Sequence, residues 1–130
     1  MSIYGKAREA SERFAERRKR EDEAPRLHDE VPGLRTLRLE VEEQRASSTV
    51  AETKHVRIVV VDHAPALFVL PCGDGDCRDG GHDLTGEILA RLRHGATDFT
   101  VEDRCYGSVR DVPCGRIVRV RIKATVASAR

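Results

Sequence analysis

A chain of 130 residues, 39% hydrophobic and 35% charged, has the size of one domain with a modest core. With no Trp, three Phe and two Tyr it lacks the exposed aromatics that a base-reading sheet needs. A net charge of +1 excludes a uniformly basic nucleic-acid binder, and no apolar stretch approaches the ~20 residues of a membrane-spanning helix.

The charge is unevenly spread. Residues 1–20 hold seven Lys/Arg against three Glu, net +4, and residues 105–130 hold six basic residues against Asp111, net +5. Between them, residues 72–87 set Arg78 against five carboxylates, net −4. The N-terminus has no apolar core of a secretory signal, so the expected location is cytoplasmic, where clustered cysteines bind metal more often than they pair.

In chain order, residues 6–23 are rich in Ala, Glu, Arg and Lys and predict a charged helix. Its apolar stripe, Ile3, Ala7, Ala10 and Phe14, is narrow and suits loose docking or a partner. Pro25 and Pro32-Gly33 bracket a linker. Residues 34–44 alternate, with Leu37, Leu39 and Val41 on one face and Arg38, Glu40 and Glu42 on the other, which predicts a half-exposed strand. Residues 56–61 are almost unbroken β-branched and predict a central strand, ended by Asp62-His63-Ala64-Pro65. Residues 66–70 resume as a short strand, and 72–81 form a Gly/Asp loop. Asp83 then caps a helix that stops at Gly95 and buries Leu84, Ile88, Leu89 and Leu92. Residues 98–105 predict a strand. In 116–126, Val118, Val120 and Ile122 alternate with Arg119, Arg121 and Lys123, which predicts another.

The expected class is therefore α+β: a small four- to five-stranded mixed sheet with one covering helix, a four-cysteine metal site at one sheet edge, and a charged N-terminal helix. The expected organisation is a helical arm over 1–24, a linker over 25–33 and a zinc-stabilised domain over 34–130.

The clearest chemistry lies in Cys72, Cys77, Cys105 and Cys114. If strands 66–71 and 98–105 are parallel, a right-handed crossover brings all four sulfurs to one edge. Four thiolates suit a structural Zn2+. The same ligands suit an iron–sulfur cluster, and disulfides Cys72–Cys77 and Cys105–Cys114 would also consume them. Neither pair has the C-x2-C spacing of a zinc knuckle. His82 is a possible outer partner of the metal or an alternative ligand. Asp74, Asp76, Asp79 and Asp83 lack the order of an EF-hand loop and read as a solvated turn.

No nucleophile elbow, P-loop, dinucleotide fingerprint or H-E-x-x-H motif is present. The expected function is a non-enzymatic, zinc-stabilised binding module. Its anionic partner, RNA, DNA or an acidic protein, would meet Arg38, Arg119, Arg121 and Lys123 on the sheet and Arg17, Arg18, Lys19 and Arg20 on the helix. Two other readings remain: an assembly subunit docking through the helix, and a redox or metal-dependent enzyme. No membrane contact is expected, and the oligomeric state is open.

Overall fold

In the computed structural model, which describes residues 3–127, the Ala/Glu/Arg/Lys-rich start forms helix α1 (Ile3–Glu23). The side chains of Ile3, Ala7 and Ala10 lie outside the described part; Phe14 is exposed. Arg26 fastens the end of α1, donating to the carbonyls of Glu21 (2.6 Å) and Ala24 (2.9 Å). The expected linker contains one helical turn, α2 (Leu27–Glu30), and its Leu27 and Val31 belong to the core.

β1 (Leu34–Gln44) and β2 (Thr53–Val59) pair antiparallel. A 3-10 turn follows at Val61–His63. Among the described residues, β3 (Val69–Leu70) and β4 (His82–Asp83) pair only with each other. Asp83 Oδ1 accepts the N–H of Thr85 (3.1 Å) at the start of α3 (Thr85–Arg93), and Gly95 ends that helix with φ +88°. β5 (Asp98–Arg104) follows. A small hairpin, β6 (Ser108–Val109) and β7 (Val112–Pro113), turns at Arg110-Asp111, both at positive φ, as a two-residue primed turn requires. β8 (Ile117–Val126) closes the fold.

The main sheet runs β2-β1-β8-β5, and every pairing in it is antiparallel. Two expectations are corrected. The sheet has four strands, within the expected number, but is not mixed, because residues 66–71 place only Val69 and Leu70 in a ladder, and that ladder lies outside the sheet. The β-branched run predicted as a central strand is edge strand β2, with both faces largely exposed.

Register explains the two faces. On the core face, rows Leu39/Ile122/Phe99 and Val41/Val120/Val101 cross β1, β8 and β5. Leu84, just before α3, and Ile88, Leu89 and Leu92 of α3, with Phe68 and Leu70, belong to the same core. On the opposite face the rows are charged: Arg38/Lys123/Asp98, Glu40/Arg121/Thr100 and Glu42/Arg119/Glu102. Among the described residues no helix is long and apolar enough to cross a membrane.

Candidate metal centre

The next core-face row toward the β5–β8 turn is Glu43/Val118/Asp103. Two carboxylates stand where the aliphatic pattern ends, and each holds one end of the loop carrying Cys72 and Cys77. Glu43 Oε1 accepts the N–H of Gly73 (3.0 Å). Asp103 Oδ2 contacts Nδ1 of the buried His82 at 2.7 Å. The loop is also fixed along its length. Asp74 Oδ1 accepts the N–H of Asp76 (2.9 Å), the Asp74 carbonyl accepts that of Cys77 (3.1 Å), and Arg78 exchanges two backbone hydrogen bonds with Ser108 (2.8 and 3.0 Å).

Cys105 and Cys114 come from the turn itself. Cys105 follows β5 and donates its N–H to the Arg116 carbonyl (2.8 Å); Cys114 donates to the Gly107 carbonyl (2.9 Å). The cluster therefore forms where β5 ends and β8 begins, through antiparallel strands and not through the parallel crossover expected from the sequence.

All four Sγ atoms lie within 4.8 Å of one another, an arrangement that can hold a metal ion. Cys72 and Cys114 are 3.7 Å apart, and Cys77 and Cys105 are 3.6 Å apart. Four thiolates placed tetrahedrally at ~2.3 Å from an ion would have S···S edges of about 3.8 Å. These two close pairs cross between the two loops and differ from the sequence-neighbour pairs that disulfides were expected to join.

Burial raises the Cys72 thiol to about 11, with the Cys114 and Cys105 contacts adding to the rise. Burial raises Cys77 further, with Cys105 adding. Cys105 goes the other way. Burial pushes it up, but the N–H groups of Gly81 (3.4 Å) and Gly107 (3.5 Å), with the thiols of Cys77 and Cys72, bring it below the ordinary value. The metal-free cluster thus favours a thiolate at Cys105 over one at Cys72 or Cys77. A Cβ on Gly80 would collide with Cys77 Sγ and Cys105 Sγ, and one on Gly107 with the Arg78 carbonyl at 2.6 Å.

Beside the cluster, Arg116 bridges Glu43 through Nε and Glu52 through Nη2 (2.9 Å). Its guanidinium is pushed down by burial and, more strongly, up by the two carboxylates, for a net rise. His82 lies against Asp103, and its Nε2 has no partner among the described residues.

The expected cationic sites separate. On the sheet, Arg121 and Asp98 form two hydrogen bonds of 3.1 Å, Arg119 lies 3.6 Å from Glu102, Lys123 3.5 Å from Glu40 and Arg38 3.4 Å from Glu40. On α1, Arg17, Arg18, Lys19 and Arg20 are exposed, with Arg17 3.7 Å from Glu21 and Arg20 3.6 Å from Asp83. Arg13, Arg17 and Arg20 of α1 and Arg57 of β2 line a cleft of about 380 Å³ over Pro65, Leu67 and Val69.

Sequence reasoning passed over Glu43, Asp103, Arg116 and Arg57. For Glu43 a signal existed: it continues the Leu37, Leu39, Val41 parity onto the core face, where a lone carboxylate needs a cationic partner. Arg57 carries no such signal, because its significance arises from α1 lying nearby.

Fold and site together define an α+β domain with a four-cysteine cluster braced at its strand ends. Comparisons with protein-family models, with curated proteins and with solved structures find no match to this chain.

Proposed function

We propose that the chain is a non-catalytic binding module, in which a structural zinc ion braces the strand-end loops and the arginine-lined cleft receives an anionic partner. Four thiolates fill a tetrahedral ion and leave no position for water or substrate, the pattern of a structural zinc. Four free cysteines accord with a reducing, cytoplasmic setting.

The cleft carries the binding half of this reading. Arg13, Arg17, Arg20 and Arg57 share it with only two carboxylates, Glu16 and Glu21. The sheet face supports binding less, since all four of its cations, Arg38, Arg119, Arg121 and Lys123, lie within 3.6 Å of a carboxylate, whereas in the cleft Arg17 and Arg20 are paired, at 3.7 and 3.6 Å, and Arg57 has no ion pair among the described residues.

The first test is elemental analysis with thiol titration of protein purified without added metal. About one zinc per chain, with thiols masked until chelation, is expected. The second is anisotropy with a labelled polyglutamate. Binding should weaken steeply between about 50 and about 200 mM salt, as charge-driven association does. It should also weaken more on R17A/R57A than on R119A/R121A. An assembly role is the second reading, favoured by the exposed Phe14 on α1. A salt-indifferent complex lost on deleting residues 1–24 would select it.

A further inference from the structure

We propose that the anionic partner is an extended polypeptide segment with alternating aliphatic and acidic side chains, added as a fifth strand along the open edge of β2. This deepens the binding-module reading and rests on it.

β2 terminates the sheet, and among the described residues nothing pairs with its outer edge. Such an edge presents unpaired N–H and C=O groups to any extended chain. Its two rows differ in chemistry. Val56 and Ile58, on the charged side of the sheet, are 50% and 65% exposed. His55 and Arg57, on the core side, are also exposed, and Arg57 forms the wall of the cleft opposite α1.

A strand added about 4.8 Å from β2 must point alternate side chains to opposite faces. One set would lie beside Val56 and Ile58, where aliphatic groups remove apolar surface from water. The other would point toward His55, Arg57 and the arginines of α1, where carboxylates find guanidinium partners.

Other occupants fit less well. A nucleic-acid backbone cannot use the edge amides as a strand does, and the cleft floor of Pro65, Leu67 and Val69 offers no aromatic platform. Pairing β2 with a second copy about a twofold sets Arg57 opposite Arg57 or His55, or His55 opposite itself, in the registers centred on the strand.

The test uses the full metal-loaded chain and three labelled probes of equal charge: a peptide of alternating Val and Glu, a peptide of the same composition in two blocks, and oligo-dT. The alternating peptide is expected to bind at least about tenfold tighter than the block peptide, as register-dependent pairing requires. It should also slow hydrogen exchange at residues 53–59. R57E and I58D should each weaken it at least about tenfold, with melting temperature and metal content unchanged. Equal binding of the two peptides, or binding of oligo-dT alone, overturns strand addition while the anionic-partner reading survives. No binding of any probe overturns both. Dimerisation lost on I58D without peptide would give the edge to a second copy and also overturn the proposal.

Discussion

Gly80 and Gly107 are the positions where the cysteine cluster leaves no room for a side chain. Neither has positive φ, so the constraint is space and not backbone conformation. In G107A the new methyl would press on the Arg78 carbonyl and Gly80 Cα, each 2.6 Å away, and on Cys77 Sγ. The two loops would have to separate, and a thiolate set is sensitive to such shifts. G107A should lose most of its bound metal, and its thiols should react with a disulfide reagent without chelator. The mixed ion cluster alongside supplies a second prediction. Arg116 and Glu43 are 10% and 9% exposed at the side chain, so removing one charge strands the other. R116A should lower stability by about 3–5 kcal/mol in urea unfolding, while an R116A/E43Q double variant, which removes the stranded charge and keeps an acceptor for the Gly73 N–H, recovers part of that loss.

At the level of elements, α3 binds to the sheet through one stripe, and Ile88 is its fully buried centre. I88A should cost about 2–5 kcal/mol, the range for a large-to-small change in a packed core, checked by denaturant titration. This stripe was legible in the sequence because Leu84, Ile88, Leu89 and Leu92 repeat at helical spacing. β1 and β8 were legible for the matching reason, since side chains alternate with period two and a single buried face writes that alternation into the residues. What periodicity does not carry is the neighbour of each strand. Val56 to Val61 is β-branched, and β-branched residues suit an edge as well as a centre, so composition could not place β2. The residue identities of the cysteine site were legible, while its construction was not. Cys105 and Cys114 approach through a hairpin whose two-residue turn, Arg110-Asp111, lacks the Gly that usually marks one. Glu43 and Asp103 become loop anchors only once register sets them in the same row of the sheet.

Across the whole molecule, the thiol shifts make pH act with opposite signs on the metal-loaded and metal-free forms. Metal needs thiolates, yet Cys72 stands at about 11 and Cys77 is also raised, so both carry protons near neutrality in the free protein. Binding must displace at least these two, and affinity should then fall by at least about a hundredfold for each unit the pH drops. In a competition assay with a chromophoric chelator the slope of log Kd against pH should be about −2 or steeper. Cys105, held below its ordinary value by the Gly81 and Gly107 N–H groups, should add less to that slope than Cys72 or Cys77. The metal-loaded protein therefore loses stability toward acid. In the metal-free protein the raised pKa values of Cys72 and Cys77 favour the folded state while these groups keep their protons. That contribution is complete below the ordinary thiol value of 9.0; the Cys72 part is lost as pH rises through about 11, and the Cys77 part at still higher pH. The lowered Cys105 works in the reverse direction, present above its ordinary value and lost toward acid, but it is one group against two. Chelated protein should thus melt at a lower temperature at pH 10 than at pH 8, and metal-loaded protein at a lower temperature at pH 5 than at pH 8. If both forms shift in the same direction over these ranges, the cluster is not the group that couples proton uptake to folding.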